Sequence, residues 1–248
     1  MLVRVAAVQF KGVREDFEGS LTQLAAFARV AAHGSDLVVL PEMAATQYLF
    51  TDEAEARAHA EPAEGPTLAA LAPVAAEAGC WLVCGFPEVD ADALFNSALV
   101  IDPTGALRFV YRKTLLYPAD MSWARPGDSG YRAFDADAGR FTLGVCMDLN
   151  DDAFVEWCAG SGARVVALPT NWLVSDEDVD TWAYWAWRMD PVGAALVAAN
   201  TYGPERDIVF CGRSVVLDDR VVHAAAPVVG DGVVRASLAP SSSRAFQP

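Results

Sequence analysis

The sequence predicts an α/β sandwich of mixed sheets covered by helices, and three observations carry the prediction. Short apolar runs with the length and polarity of buried strands alternate along the chain with segments of helical period. Hydrophobic residues make up 53% of the 248 and aromatics 10%, enough to fill a core on several faces. No internal repeat and no linker-like stretch divides the chain, so residues 1–248 read as one domain ending in a loose tail at 241–248.

Residues 1–10 form an apolar run that contains Arg4 and lacks a small-residue cleavage site, which marks a first strand and not a signal peptide. Phe17, Leu21, Leu24 and Phe27 set a helical repeat over 17–32, closed by His33-Gly34. Leu37-Val38-Val39-Leu40 is too apolar to face water and runs straight into Pro41-Glu42, so a buried strand ends on a carboxylate. Residues 52–59 and 66–79 are Ala-rich and separated by a Pro- and Gly-containing break, which predicts two helices with a turn between them. Residues 81–86, 93–101 and 107–111 read as strands. The last two are joined by the turn Asp102-Pro103-Thr104-Gly105, and the hairpin delivers Arg112-Lys113 at its far end.

Residues 115–131 are rich in Pro, Gly and aromatics without a period, as in a long ordered loop near a site. A buried strand from Phe141 then ends abruptly in Cys146, Met147 and Asp148. Residues 151–160 read as a helix, 164–168 as a strand and Pro169-Thr170-Asn171-Trp172 as the loop at that strand's end. The helix expected over 178–189 carries Trp182, Tyr184, Trp185 and Trp187; packing accounts for at least two of its three tryptophans, because one helix cannot turn all of them toward one pocket. The strand 194–199, a turn at Gly203-Pro204, and strands at 208–211, 213–217, 221–225 and 233–238 complete the chain.

A formal net charge of -15 excludes nucleic acid as a partner, since phosphate binding needs clustered Lys and Arg. No segment approaches the roughly 18 apolar residues of a membrane span, and the expected location is cytoplasmic. Five cysteines, Cys80, Cys84, Cys146, Cys158 and Cys211, lack both disulfide-scaffold spacing and any C-x-x-C pair. Cys80 and Cys84 read as small buried hydrophobes, and no metal site is expected.

Three chemically active side chains, Glu42, Lys113 and Cys146, each follow an apolar strand directly, where catalytic residues of α/β folds gather. A thiol attacks as thiolate and needs a base, which a partly buried carboxylate supplies. A fixed ammonium stabilises the oxyanion that attack creates. These roles fit Cys146, Glu42 and Lys113, with the backbone N–H of Met147 as second donor. The histidines, His33, His59 and His223, do not adjoin an apolar strand end, which disfavours a Cys-His peptidase. Taken singly, each of the three residues has a commoner structural role, so spacing alone leaves the triad undecided.

Leu40-Pro41-Glu42, then Asn96, Ile101-Asp102-Pro103-Thr104-Gly105 and Tyr111-Arg112-Lys113, then Gly144-Val145-Cys146-Met147-Asp148, together resemble the signature of the nitrilase superfamily of carbon-nitrogen hydrolases. The likeness runs in order from the first strand to about Leu238. It implies a four-layer αββα sandwich, a homodimer, no cofactor, and hydrolysis of a small primary amide through a cysteine thioester with release of ammonia. Nitriles or N-carbamoyl compounds on the same triad, and a catalytically silent binding module on the same fold, are the alternatives.

The chain departs from the family pattern twice. Asp120 stands where many members carry a longer glutamate, and either positions Lys113 or the substrate or merely closes a loop turn. After Cys146 the run Met147-Asp148-Leu149-Asn150-Asp151-Asp152 looks most like that of fungal protein N-terminal asparagine and glutamine amidases. If a peptide N-terminus is the substrate, Asp120 or Asp148 is the expected partner of its ammonium and Trp123 or Trp172 the pocket wall, with Asn171 beside them.

Overall fold

The computed structural model describes residues 2–174 and 180–239. The expected tail at 241–248, and the first two residues of the helix expected over 178–189, lie outside the described residues.

The first half of the chain is β1 (Val3–Gln9), α1 (Phe17–Ala32), β2 (Leu37–Val39), α2 (Glu53–His59), α3 (Pro66–Ala78), β3 (Trp81–Asp90), β4 (Ala93–Ile101) and β5 (Leu107–Arg112). Asp16 caps α1 by accepting from the Gly19 N–H, and α3 starts on Pro66 and ends on Gly79 in the left-handed conformation. The second half is β6 (Ala133–Ala136), β7 (Gly139–Leu143), α4 (Asp152–Ser161), β8 (Val165–Thr170), α5 (Thr181–Met189), β9 (Ala195–Asn200), β10 (Tyr202–Glu205), β11 (Ile208–Cys211), β12 (Val215–Asp218), β13 (Val221–Ala225) and β14 (Gly232–Leu238).

Two six-stranded sheets result, ordered β14-β1-β2-β3-β4-β5 and β13-β12-β9-β8-β7-β6. Their facing sides form one core in which Val5, Ala7, Val39, Val83 and Val100 meet Phe141, Leu143, Val165, Ala167 and Val197. On the outer face of the first sheet Leu24 and Ala28 of α1 and Leu71 and Val74 of α3 cover Val8, Val38 and Leu82. On the outer face of the second, Phe154 and Cys158 of α4 and Trp185 and Met189 of α5 cover Val166, Leu168 and Leu196. The layers are therefore α, β, β, α. No helix among the described residues is long and apolar enough to cross a membrane.

Four local expectations change. β3 runs on past Phe86 to Asp90, pairing with β4 throughout. Pro87 does not stop it, because its carbonyl accepts from the Glu61 N–H and its nitrogen therefore also faces away from β4, beyond the last β2 pair at Val83. β8 continues through Pro169 and Thr170, which were expected in a loop; β7 leaves the sheet after Leu143, so that side of β8 is an edge that tolerates proline. Gly203-Pro204 lies within the two-stranded β10–β11 hairpin and is not a turn. β6 escapes the sequence reading because it is an edge strand with only Phe134 fully buried.

On α5, Trp185 is wholly buried and Trp182 donates to the Arg213 carbonyl at 2.8 Å, while Trp187 is 57% exposed. Two of the three tryptophans thus serve packing.

Candidate active site

The chain delivers its candidate residues to one end of the sandwich from both sheets. Past β2, the Leu40 N–H bonds the Val83 carbonyl and the Gly85 N–H bonds the Pro41 carbonyl, which ties Glu42 against β3. A Cβ on Gly85 would lie 2.4 Å from the Glu42 Cα, so the approach requires glycine there. β4 and β5 place Asn96 opposite Lys113, whose N–H bonds the Asn96 carbonyl at 2.8 Å. From the other sheet, β7 ends at Leu143, and Gly144 packs so closely that a Cβ would meet the Phe154 ring at 2.5 Å. Cys146 follows with φ of 46°, a left-handed backbone rare for a residue with a side chain. It opens a 3-10 turn, Cys146–Asn150, whose first bond is from Asp148 N–H to the Val145 carbonyl; helical geometry gives the N–H groups of Cys146 and Met147 no acceptor.

Glu42, Lys113 and Asp120 are all fully buried side chains. Lys113 Nζ donates to Glu42 Oε1 at 2.8 Å and to Asp120 Oδ2 at 2.7 Å. Glu42 Oε2 is buried without a hydrogen-bond partner among the described residues. Burial pushes the Glu42 carboxyl above its ordinary value; the Lys113 ammonium opposes this and the Asp120 charge adds to it. For Lys113 burial acts downward, yet the charges of Glu42 and Asp120 outweigh it and hold the ammonium well above its usual range. Cys146 is 6% exposed; burial raises its thiol strongly, Glu42 adds to the rise, and Lys113 pulls the other way. A thiol, an unpartnered carboxylate oxygen and a lysine ammonium are thus buried together at one site.

Asp120 belongs to Lys113. Its carboxylate also accepts from Asn96 Nδ2 at 3.2 Å and from the Tyr117 N–H at 3.0 Å. A 3-10 turn at Asp120–Ser122 brings the backbone close enough for the shorter side chain to reach. Asp148 is likewise spent on the protein: it accepts from the Val145 N–H at 2.8 Å, the Tyr111 hydroxyl at 2.8 Å, the Thr114 N–H at 2.9 Å and hydroxyl at 2.8 Å, and the Leu115 N–H at 2.9 Å. It clamps the chain just after Lys113 onto the turn that carries Cys146. Burial raises its carboxyl, and the N–H groups of Leu115 and Val145 oppose that rise.

The other candidates divide. Asn171 and Trp172 stand at the end of β8; Asn171 Oδ1 is buried without a hydrogen-bond partner among the described residues, while the Thr170 side chain and the Asn171 backbone face the Cys146 thiol. Trp172 is fixed by its N–H to Asn200 Oδ1 at 2.8 Å and packs, with Met147, on the core between the sheets. Trp123 instead packs edge-on to Phe50, ring centroids 5.2 Å apart, in a cluster with Met43, Tyr48 and Phe210 behind the loop that follows Glu42. Of the histidines, His33 and His223 are exposed and His59 stacks on Phe50.

Sequence reasoning passed over Tyr48. Its ring lies 5.6 Å from Lys113 Nζ. Burial raises its hydroxyl well above the ordinary value, and the charges of Asp120, Glu42 and Cys146 act in the same direction. Glu205 of the β10–β11 hairpin holds it there by accepting from the N–H groups of Tyr48 and Leu49, and Arg14 pairs with Glu205 at 3.0 Å. No local pattern links positions 14, 48 and 205.

A four-layer αββα sandwich with a buried carboxylate, ammonium and thiol at its strand ends defines an enzyme of the carbon-nitrogen hydrolase class. The carbon-nitrogen hydrolase family model matches residues 4–247, and the chain belongs to that family, within the nitrilase superfamily. It is 33% identical over 189 residues to a nitrilase of Pyrococcus abyssi, covering 74% of this chain and 68% of that one. It is 25% identical over 247 residues to the protein N-terminal amidase of Schizosaccharomyces pombe, covering 82% and 86%. An amidase from Nesterenkonia sp. AN1, solved as a mutant with acrylamide added at its active-site cysteine, shares the fold with a TM-score of 0.81 at 23% identity, over 96% of this chain and 93% of that one.

Proposed function

We propose that the chain is an amidase that hydrolyses a small primary amide through a thioester on Cys146 and releases ammonia. The observation that carries this is the asymmetry of Glu42: Oε1 is taken by Lys113, while Oε2 is buried and unpartnered. Glu42 Oε2 takes the Cys146 proton as the sulfur bonds to the amide carbon. The carbonyl electrons move onto oxygen, where Lys113 and the Met147 N–H hold the charge. Glu42 returns the proton to the amide nitrogen, the C–N bond breaks and ammonia leaves. Water then gives a proton to Glu42 and attacks the thioester, the C–S bond breaks, Glu42 passes that proton to the departing sulfur, and the carboxylic acid product leaves. Asp120 keeps Lys113 in place. Asn171 and Trp172 line the acyl side, and no cofactor enters any step.

Likeness to protein N-terminal amidases favours a peptide N-terminus as the substrate. Asp120 and Asp148 are both committed to other partners, so neither is its ammonium's counter-ion. Ammonia release and mass spectrometry of Cys146 test the proposal on free asparagine and glutamine, short aliphatic amides, a nitrile, an N-carbamoyl compound, and peptides beginning with Asn or Gln. Amides should give both ammonia and an acyl adduct; their absence across the panel would return the chain to a binding role. Equal rates with and without the free α-amine would exclude the peptide reading. We place the enzyme in the cytoplasm as a homodimer, in line with family habit, five free cysteines and the exposed Trp187 on α5. Sedimentation equilibrium checks the dimer.

A pH prediction follows from the buried acids. Folding raises Glu42 and Asp148 above their ordinary values of 4.5 and 3.8, so protonating them favours the native state. That contribution is full below the unfolded values and is lost as pH rises through the folded ones. Asp36, Asp102 and Asp180, whose values are lowered from 3.8, withdraw their support only in stronger acid. Activity should therefore disappear on mild acidification, with a midpoint above pH 4.5, while the fold persists and recovery is full. Ammonia release and near-ultraviolet circular dichroism over one pH series check this; unfolding in step with inactivation would refute it.

A further inference from the structure

We propose that Asn96 is a positioning residue that decides which oxygen of Glu42 receives the Cys146 proton. The inference rests on Glu42 being the base and extends it to the residue that aims it.

Asn96 is wholly buried at the β4 position opposite Lys113. Its carboxamide Nδ2 donates to Glu42 Oε1 at 2.7 Å and to Asp120 Oδ1 at 3.2 Å. Lys113 Nζ bridges the same two carboxylates from the other side, through Glu42 Oε1 and Asp120 Oδ2. Four buried side chains thus close a ring in which two donors alternate with two acceptors. The orientation of the amide is fixed by chemistry, because a flipped Asn96 would aim its own oxygen at two carboxylates. The price of this arrangement is visible in Asn96 Oδ1, which is buried without a partner among the described residues.

The ring has a consequence for the base. Lys113 alone, a compact charge on a flexible stem, attracts either oxygen of Glu42. Asn96 is rigid in comparison, and its N–H must meet the same oxygen that Lys113 meets. Two donors on Oε1 leave Oε2 as the more basic and the only open oxygen, and they stop the carboxylate from turning about its last bond. Asn96 also stands between Glu42 and Asp120, donating to both carboxylates. The charged or titratable groups facing Glu42 are Lys113 from the end of β5, Asp120 from the following loop, Tyr48 from the loop after Glu42 itself, and Cys146 from the end of β7.

Asn96→Leu keeps the branched shape and removes the donor; Asn96→Ala removes both. A hydrogen bond to the charged form of a carboxylate lowers its pKa, so losing it raises the acid limb of kcat/KM, by about one pH unit. The expected kcat falls roughly 10- to 100-fold with KM within about threefold, because the base is misaimed and the pocket is not. The pH dependence of Cys146 alkylation by iodoacetamide, read by mass spectrometry, reports the same shift without turnover. Thermal denaturation shows whether the variants fold. Folded variants with an unmoved acid limb, or variants that do not fold at all, overturn the proposal by making Asn96 a structural residue. Glu42→Gln run beside them separates the two readings: if it retains wild-type turnover, the base assignment is what fails; if it is inactive and Asn96→Leu is unaffected, only the role of Asn96 fails.

Discussion

Cys146→Ala lowers amide turnover by about 10⁴-fold or more, with a melting temperature close to wild type. None of the other four cysteines can substitute for the thiol. Cys80 and Cys84 lie in the core beneath α1 and α3, Cys158 faces the second sheet from α4, and Cys211 is turned toward Asn200. The fold tolerates the change because alanine removes one atom from a site at the rim of the core, and the left-handed φ of 46° is no worse for alanine than for cysteine. Cys146→Ser should be nearly as inactive, since a hydroxyl beside a carboxylate base is a far weaker nucleophile than a thiol in the same place. Ammonia release, with a denaturation curve for each variant, decides the matter. Turnover above about one hundredth of wild type in Cys146→Ala would remove the thioester from the mechanism.

Lys113→Met is expected to damage both function and stability. Function suffers because the developing oxyanion loses its cation, a loss of about 10²–10³ in kcat for one such donor. Stability suffers because Glu42 and Asp120, fully buried, are left facing each other with no positive charge between them. Breaking a buried pair by removing one partner costs about 3–5 kcal/mol, chiefly the desolvation of the charge left behind. The variant can relieve this by protonating a carboxyl. Its stability deficit should therefore shrink as pH falls and widen as pH rises, whereas a packing defect would not depend on pH. Urea titrations at two pH values on either side of neutrality distinguish the two. A pH-independent deficit, or none, would show that the Lys113 bridge does not hold the two acids together.

Much of this was legible in the sequence because strand ends announce themselves. Leu37 to Leu40 and Phe141 to Val145 are too apolar to be exposed, so the first reactive residue after each stands out, and Glu42 and Cys146 stand there. The helix over 17–32 was readable to the residue because its apolar period and the stop at His33-Gly34 agree. Pro87, Pro169 and Pro204 misled, because proline forbids a strand only where its missing N–H would face a neighbour, and that depends on which strands lie alongside. The roles of Asp120, Asp148 and Tyr48 were hidden for a related reason. A sequence shows that an acid lies near a nucleophile, but not that five donors from two separate stretches of chain have already claimed it. Asp148 looked like a specificity residue and is instead a clamp. Asp120 looked too short, and a single turn of backbone supplies the missing reach.

Glu42, Asn96, Lys113 and Asp120 all hang from the first sheet, while Cys146, Thr170 and Asn171 hang from the second, and the two sheets touch through a seam of apolar side chains. On the roles proposed above, neither half holds a working set of groups. Catalysis is therefore a direct gauge of how well the two halves are registered, and a sideways slip of about 1 Å along the seam is enough to lose roughly 10²-fold in rate while leaving each sheet intact. A chain caught with its halves apart has a thiol without a base and a base without a thiol, so the reactive chemistry is kept switched off until the whole polypeptide has closed.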